Sequence, residues 1–384
     1  MRPLIQSEGF MLTHRIRKHL EVDERDPYTR GGQRGTALGT DLHSSFDMYS
    51  RIFATAGIAE DTVRTATGPL GDVISHWLPD QTAEMQGVAD GTGLEMWQVL
   101  ALNARTELLS LASGARPGEC STVVYAPGPV GQGEGPNISP YGIQTWDWHD
   151  ELRSCWHTHT VKGTKYSTVG LTENGILSKI GMNSAGVGLF FNILGHRADS
   201  PTGIPIHLLS AHVLNNAGST AEAVDLMRSL PIATSSAFTL LDANTATCAE
   251  LSPNGVSIVD AQRGFLPHTN HFLDNANAAE ERTELYSPDS QDRFGLLTSR
   301  IERYASPIDA DDLVEYLYSD QDQPHLSCYP APDAVFGTRW ATLATVIIEP
   351  ALRKVQILDC TPLDVRRRQW RVLGLDTPAS VSSL

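Results

Sequence analysis

The first part of the chain carries apolar residues at helical spacing. Between residues 42 and 78, hydrophobic side chains recur every three or four positions, which predicts two packed helices. A second helix pair is predicted over residues 79–111, interrupted by the turn-forming residues 90–93. Residues 29–35 contain three glycines, and we expect a structural turn there, since the lysine of a phosphate-binding loop is missing. The first ~115 residues are therefore predicted to be mostly helical.

The pattern changes at Cys120, where strand-forming residues begin. Short β-branched and aromatic runs alternate with glycine turns up to residue 194, which predicts antiparallel hairpins. The predicted strands of this part cover residues 121–125, 143–148, 166–172, 176–182 and 187–193. Later elements are predicted as helices over 206–216, 219–230, 287–304 and 309–318, and as strands over 237–242, 247–251, 256–259, 342–348 and 354–358. This order of helices, sheet, helices and sheet predicts one α+β domain with helix-covered sheets.

Composition and charge narrow the classes of partner. The chain has 384 residues, of which 41% are hydrophobic, so it can bury a large core. Its 29 Lys+Arg against 45 Asp+Glu give a net charge of −16, which argues against nucleic-acid and membrane partners, because both need basic patches. Residues 1–20 lack an uninterrupted apolar core, so no signal peptide is expected, and no window approaches the ~18 apolar residues of a membrane span.

The cysteines favour a reducing compartment and leave one metal alternative. They are odd in number, widely spaced and without a CxxC pair, so neither a disulfide framework nor a zinc knuckle is expected, and we predict a cytoplasmic protein. Cys155, His157 and His159 alternate, and in a strand they would share one face and could reach one ion. The sequence specifies no fourth ligand. We therefore predict no metal site, and a zinc-dependent hydrolase using His157 and His159 is kept as the weaker alternative.

Cys120 is the candidate nucleophile. The residues before it include Pro117 and Gly118, which end a helix, and residues 122–125 favour a strand, so the thiol is expected at the mouth of a strand. Taken alone the signal is unspecific, because free cysteines are commonly small buried hydrophobes. Further along, Asp147 lies between two tryptophans, and a buried carboxylate needs a partner such as an amine or Arg339. A purely structural ion pair at Asp147 is the equal alternative.

Six segments, in this order, give the chain a resemblance to a known family. They are LNARTE at 102–107, ECST at 119–122, TWDW at 145–148, GMN at 181–183, HTNHF at 268–272 and RWATL at 339–343. Together they resemble the acyl-coenzyme A:6-aminopenicillanic acid acyltransferase family, the isopenicillin N acyltransferase-like enzymes, which are self-processing N-terminal nucleophile hydrolases. The resemblance implies a four-layer αββα sandwich, with two antiparallel sheets between helical layers.

The resemblance also implies that the chain cuts its own Glu119–Cys120 bond. Residues 1–119 would form a mostly helical chain and residues 120–384 the catalytic chain, and the two fragments would stay together as one structural domain. Cys120 would attack the preceding carbonyl, the amide would become a thioester, and water would release a new amino terminus. A free α-amino group has a pKa of about 7.7–8.0, so it can accept the thiol proton near neutral pH.

The remaining site residues are carried over from the same resemblance. Asp147 would orient the Cys120 amino group, and Asn270 would donate its side-chain amide to the oxyanion. Arg339 would lie beside the nucleophile and balance Asp147 or bind a substrate carboxylate. Asn183 and Thr338 would support the site, Thr338 standing where the family often has serine. The chain departs from the penicillin enzymes at Glu119, where they have glycine, and in a long loop over residues 128–142.

The resemblance implies an amide-bond hydrolase or acyltransferase. It would act on a small acylated amine or amino-acid conjugate through an acyl-thioester on Cys120. No cofactor is expected, with acyl-coenzyme A as a candidate co-substrate, and the sequence leaves homo-oligomerisation open. The alternative from another class is a member of the same fold that lost catalysis and only binds a ligand.

Overall fold

The computed structural model describes residues 17–112, 120–128, 138–285, 289–320 and 322–375. Within these ranges the α-helices are α1 (Pro27–Leu38), α2 (Thr40–Thr55), α3 (Glu60–Trp77), α4 (Pro79–Thr92), α5 (Met96–Asn103), α6 (Arg105–Leu109), α7 (Ile206–Asn216), α8 (Thr220–Arg228), α9 (Asn275–Ala278) and α10 (Asp289–Arg303). A longer 3-10 helix covers Asp311–Leu317. The described part before Cys120 is thus mostly helical.

The strands form two sheets. They are β1 (His19–Val22), β2 (Cys120–Tyr125), β3 (Tyr141–His149), β4 (Trp156–Val161), β5 (Thr168–Glu173), β6 (Ile180–Asn183), β7 (Gly188–Ile193), β8 (Ser236–Leu241), β9 (Ala246–Ser252), β10 (Gly255–Val259), β11 (Phe265–His268), β12 (Trp340–Glu349), β13 (Lys354–Leu358) and β14 (Arg371–Gly374). The first sheet has the order β1-β4-β5-β6-β7-β8-β9-β10, and the second β11-β2-β3-β12-β13-β14. Neighbouring strands pair antiparallel, except that β1 joins β4 in parallel.

The two sheets stack face to face between helices. β2 lies against β7, and β13 lies against β5. Helices α7 and α8 cover the first sheet, while α10 and the 3-10 helix Asp311–Leu317 cover the second. This is the four-layer αββα arrangement, so the predicted fold class is confirmed. No helix in the described ranges is long and apolar enough to cross a membrane.

Strand β2 is buried on both of its faces. Val124 belongs to the main core between the sheets, whereas Val123 and Tyr125 belong to a second apolar cluster with Leu313 and Leu317 of the 3-10 helix. Successive side chains of a strand point to opposite faces, so this division follows from the pleat. A strand covered on both faces lacks the apolar–polar alternation of a half-exposed strand, as the consecutive Val123, Val124 and Tyr125 show. The candidate nucleophile therefore starts an inner strand of the second sheet.

The glycines of residues 29–35 lie in a helix, and the turn predicted there is wrong. Gly31 and Gly35 of α1 face α4, and a Cβ atom built on Gly31 would lie only 1.9 Å from the Glu84 carbonyl oxygen. Gly87 and Gly91 on α4 complete the same contact. The spacing of four places both glycines of each helix on one face, so the two backbones touch. A helix–helix contact therefore explains the cluster that suggested a loop.

A buried ion pair reinforces the contact between α1 and α4. Glu84 of α4 accepts from Arg30 at 2.5 Å and lies 2.8 Å from the Nε atom of Arg34. All three side chains are buried. Because a buried carboxylate is costly without a cation beside it, each helix depends on the other for its charged residues. The pair thereby fixes the register of the two helices.

Alanine at Gly87 tests the glycine contact. Its Cβ atom would lie 2.0 Å from the Tyr28 carbonyl oxygen and 2.8 Å from the Gly32 nitrogen, both backbone atoms that cannot rotate away. We expect Gly87→Ala to lower the free energy of unfolding by about 1–3 kcal/mol in urea titrations, since overpacking forces the helices apart.

Gly295→Ala is the matched control for this substitution. Gly295 lies in α10, is exposed and has open space where a Cβ atom would stand. Removing a helical glycine there should leave stability unchanged or raise it by up to ~1 kcal/mol. Equal effects of the two substitutions would contradict the close contact.

Candidate active site

Cys120 is held by its main chain at the start of β2. It is 4% exposed and pairs with Trp146 of β3. Its N–H donates to Asn270 Oδ1 at 2.9 Å. Its carbonyl oxygen accepts from Asn192 Nδ2 at 2.9 Å and from Arg293 Nη1 at 3.0 Å. The N–H group and the carbonyl group of Cys120 are thus both oriented by buried side chains.

The Cys120 thiol is neutral in the continuous chain at neutral pH. Burial raises its pKa to about 12, and the negative charge of Asp147 acts in the same direction. The positive charges of Lys179 and Arg293 and a hydrogen bond from the Asp147 backbone oppose this rise without overcoming it. A thiol in this state attacks only if a base takes its proton. The site therefore needs a proton acceptor next to Cys120.

Asp147 lies beside Cys120 on the neighbouring strand. It follows Trp146 on β3, is 1% exposed and stands opposite Thr342 of β12. Its charge and its backbone amide both act on the Cys120 sulfur. The structure therefore brings Cys120, Asp147 and Asn270 together, as the sequence predicted for their positions. Their catalytic roles stay predictions.

Asn270 presents its carbonyl oxygen to the Cys120 nitrogen. The residue follows β11 by two positions and is fully buried. Its Oδ1 atom also accepts from Arg293 Nη2 at 2.9 Å, while its Nδ2 atom donates to the Ile193 carbonyl oxygen at 2.9 Å. The arrangement suits an acceptor for the Cys120 nitrogen. Donation to an oxyanion would have to come from the Nδ2 atom that here bonds Ile193.

Arg293 of α10 is the residue that sequence reasoning missed. Its guanidinium is fully buried and donates to the Cys120 carbonyl, to Ser121 Oγ at 3.0 Å and to Asn270 Oδ1. Asp289, one turn earlier, accepts from its Nε atom. A planar fork can satisfy several acceptors at fixed angles, which a lysine cannot. A sequence signal existed, since Arg293 shares a helix face with the buried Leu297.

Arg339 and Thr338 lie away from Cys120. Arg339 is 44% exposed and donates from Nη2 to Asp150 Oδ2 at 3.1 Å. The Thr338 hydroxyl donates to the Val335 carbonyl oxygen at 2.9 Å and is exposed. Both residues precede β12. Arg339 thus forms a surface pair with Asp150 instead of lying beside the nucleophile, and Arg293 is the arginine that contacts the Cys120 main chain.

Asn183 closes a turn rather than reaching the nucleophile. Its Nδ2 atom donates to the Leu214 and Ala217 carbonyl oxygens at 3.0 and 2.7 Å. Its Oδ1 atom accepts from the backbone of Ala185 and Val187, both at 3.0 Å. These bonds join the β6–β7 turn to the end of α7. Asn183 was predicted to support the active site. Its hydrogen bonds in this chain instead hold a turn.

The histidines considered for zinc are buried and neutral. His157 Nδ1 lies 2.8 Å from Asn174 Oδ1. Burial lowers the pKa of His157 to about 3, and it holds the pKa of His159 well below its usual value. In the described ranges, no three His, Cys, Asp or Glu side chains group as metal ligands. The zinc alternative thus finds no support in this part of the chain. Glu119 lies outside the described residues, as does most of the predicted 128–142 loop.

Comparison with known families matches residues 134–360 to the family described as acyl-coenzyme A:6-aminopenicillanic acid acyl-transferase. The match spans more than half of the 384 residues. The chain belongs to this family. Acyl-coenzyme A:6-aminopenicillanic-acid-acyltransferase (40 kDa form) of Emericella nidulans is 29% identical to it over 344 residues, which covers 86% of this chain and 89% of that protein. The family match begins after Cys120, so it does not bear on the nucleophile.

Solved structures give a weaker similarity. Penicillin V acylase from Agrobacterium tumefaciens is 14% identical with a TM-score of 0.38, covering 67% of this chain and 86% of that one. A mutant of conjugated bile acid hydrolase from Clostridium perfringens is 12% identical with a TM-score of 0.36, covering 67% and 84%. Scores this low carry no argument about the site, and the architecture above rests on this chain's own strand pairing.

In this acyl-transferase family member, the LNARTE segment joins the helical part to the sheets. Asn103 Nδ2 donates to the Gly175 carbonyl oxygen at 2.7 Å. Glu107 Oε1 accepts from the Ile206 backbone at 3.0 Å and from Thr234 Oγ1 at 2.6 Å. Arg105 donates from Nη2 to Glu173 Oε1 at 2.6 Å. The segment before Cys120 is thus bound to the part after it through buried polar groups.

A charged cluster lies between the sheets behind Cys120, and we call Arg105, Glu173 and Lys179, with Tyr49, the Glu173 cluster. Glu173 accepts from Arg105, from Lys179 at 2.6 Å and from the Tyr49 hydroxyl. Burial alone would raise the pKa of Glu173, but Arg105 and Lys179 together hold it well below its usual value. The sequence pattern does not indicate this cluster, because its members come from α2, α6, β5 and the residue before β6.

Lysine at position 293 tests the Arg293 fork. Arg293→Lys keeps the charge but cannot reach the Cys120 carbonyl, Ser121 and Asn270 together. We expect the free energy of unfolding to fall by about 2–3 kcal/mol, since buried acceptors lose their donors. Arg339→Lys is the control, and at that half-exposed position the change should stay within ~0.5 kcal/mol. A larger loss of stability for Arg339→Lys than for Arg293→Lys would indicate that the site depends on Arg339 and not on Arg293.

Proposed function

We propose that this acyl-transferase family member is a self-cleaving enzyme whose nucleophile is an amino-terminal Cys120. It acts on the amide bond of a small acylated amine or amino-acid conjugate through an acyl-thioester. The proposal is supported above all by the hydrogen bonds of the Cys120 main chain. Asn270 accepts from its nitrogen, and Arg293 donates to its carbonyl oxygen. An acceptor on that nitrogen suits both the scissile amide and the amine that cleavage would create.

Self-cleavage begins with the Cys120 sulfur attacking the carbonyl carbon of Glu119. An S–C bond forms, the C–N bond breaks, and the Cys120 nitrogen takes up the proton that the sulfur loses and leaves as an amine. Water then hydrolyses the thioester, which returns the thiol and leaves a carboxylate on Glu119. Arg293 and Asn192 keep the Cys120 carbonyl in place throughout, which supports a sulfur held near the bond it attacks.

Turnover then uses the new amine as the base. With a pKa of about 7.7–8.0, an α-amino group can take the Sγ proton at neutral pH, which supports catalysis by a thiol that burial keeps protonated. The sulfur attacks the substrate carbonyl, and the ammonium returns its proton to the leaving amine. The negative charge of Asp147 favours the protonated amine, and the Asn270 oxygen orients it. Water or a second amine finally takes the acyl group from the sulfur.

The cleaved fragments are proposed to remain together. Asn103, Arg105 and Glu107 lie before the cut and bond buried groups after it. Buried polar partners are costly to expose, so these contacts oppose dissociation. The Emericella nidulans relative carries acyl-coenzyme A in its name, and acyl-coenzyme A is a candidate acyl donor here. The cytoplasmic location stays a prediction.

Alanine at position 120 tests the proposal. Cys120→Ala should remain one chain of 41.8 kDa in intact-mass measurements and should show no turnover of acyl-amides. The unsubstituted protein should give a fragment that begins at Cys120. Cys120→Ser should cleave slowly, since a hydroxyl is the poorer nucleophile on the same route.

Two outcomes would overturn the proposal. Two fragments from Cys120→Ala would remove Cys120 from the cleavage. A permanently uncut unsubstituted chain that binds acyl-amides without turnover would favour the ligand-binding alternative.

A further inference from the structure

The ammonium group of Lys179 lies in the buried space behind Cys120. Lys179 immediately precedes β6, and its side chain is 2% exposed. Its Nζ atom stands 4.1 Å from the centroid of the Trp146 ring. Trp146 is the direct partner of Cys120 across β2 and β3, and directly opposite residues project to the same face of a sheet. Lys179 and the Cys120 side chain therefore share the layer between the sheets.

The Glu173 cluster carries an excess positive charge. Two cations, Arg105 and Lys179, share the single carboxylate of Glu173, and Tyr49 donates a neutral hydroxyl. His207 also faces the cluster, but burial holds its pKa well below the usual value, so it stays neutral. A buried cation is costly unless something nearby is negative. Glu107 also acts on Arg105, although burial raises the pKa of Glu107. Because Lys179 shares Glu173 with Arg105, it can also stabilise a neighbouring group that becomes negative during the reaction.

Cys120 is the neighbouring group that can become negative. Lys179 opposes the rise of the Cys120 pKa, and Cys120 in turn favours the charged form of Lys179. Asp147 acts on the thiol in the opposite sense. The charged and titratable groups that act on Lys179 are thus Glu173, Arg105, Cys120 and His207. Of these, only the thiol changes charge in the proposed reaction.

We propose that Lys179 is a positioning residue that stabilises the thiolate of Cys120, held at its place by Glu173. The inference rests on the proposed function and deepens it. The Sγ proton moves to the Cys120 amine, and Lys179 keeps its own proton throughout. Its ammonium lies over the Trp146 ring and acts on the thiolate that is left. Arg105 orients the Glu173 carboxylate, so the segment before the cut contributes to the reactivity of the residue after it.

The charge of Lys179 sets an alkaline limit to this effect. Burial lowers the pKa of Lys179 to about 8, although Glu173 opposes that shift. A lysine whose pKa is lowered is charged below that value and neutral above it. Support for the thiolate is therefore present at neutral pH and is lost as the pH rises through about 8. An arginine at this position would keep its charge over the whole range.

The substitution Lys179→Met tests the proposal in the full-length protein. The rate of Cys120 alkylation by iodoacetamide is followed over a pH series by mass spectrometry of the Cys120 peptide. We expect Lys179→Met to slow alkylation about tenfold at neutral pH, since removing one opposite charge near a titrating group has an effect of this size. With an acyl-amide substrate, kcat should fall by a similar factor while KM stays unchanged.

Lys165→Met is the control for this measurement. Lys165 is exposed and donates to the Asn216 carbonyl oxygen on the surface, so its loss should leave alkylation unchanged. Wild-type alkylation rates over the whole pH series in folded Lys179→Met would overturn the proposal. Because alkylation needs no turnover, this outcome is distinct from failure of the proposed function, which Cys120→Ala reports.

Lys179→Arg is a second variant, which keeps the proposal testable if Lys179→Met does not fold. Lys179→Arg should alkylate at the wild-type rate at neutral pH and faster than the unsubstituted protein above about pH 8, where Lys179 becomes neutral and arginine does not. The comparison is made between proteins with matching circular dichroism and melting temperature. Identical pH–rate curves with arginine and lysine would contradict a charge supplied by residue 179.

Discussion

The arrangement of the site depends on one buried guanidinium. Arg293 reaches the Cys120 carbonyl, Ser121 and the Asn270 side chain at once, and so ties α10 to the start of β2 and to the residues after β11. Its own position is set by Asp289 one turn earlier on the helix. Because Asn270 is held by the same fork, the acceptor on the Cys120 nitrogen cannot move independently. The orientation of the Cys120 N–H group is thus a property of the packed helix and sheet.

Burial disfavours the charged form of the Cys120 thiol, and nearby cations oppose that effect. It keeps the Cys120 thiol protonated, and Asp147 on the neighbouring strand strengthens that effect. The Glu173 cluster supplies the opposing charge from between the sheets, through Lys179. Part of that cluster comes from Arg105, which precedes the proposed cut. The helical part of the chain therefore contributes charge to the site as well as surface to the core.

Much of the fold and part of the site followed from the sequence. Helices α2 and α3 and strands β2 and β3 were predicted because their apolar patterns are regular, and the six ordered segments indicated Asp147 and Asn270 as neighbours of Cys120. Arg293 shares a helix face with the buried Leu297, but that signal does not tell which strand an arginine reaches, so Arg293 and Arg339 could not be ranked from the sequence. Gly31 was misread because a helix–helix contact and a turn both favour glycine. Strand β4 was missed because its buried histidines resemble an exposed polar run.

Mass analysis of the acyl intermediate identifies the residue that carries the acyl group. The protein is mixed with an excess of an acyl-amide substrate, quenched in acid at early times and digested with pepsin at acid pH, and the peptides are weighed. We expect a peptide that begins at Cys120 and carries the mass of the acyl group. An acyl group on any other residue would contradict an amino-terminal Cys120 nucleophile. Turnover by a chain in which residue 119 is still joined to Cys120 would contradict it equally.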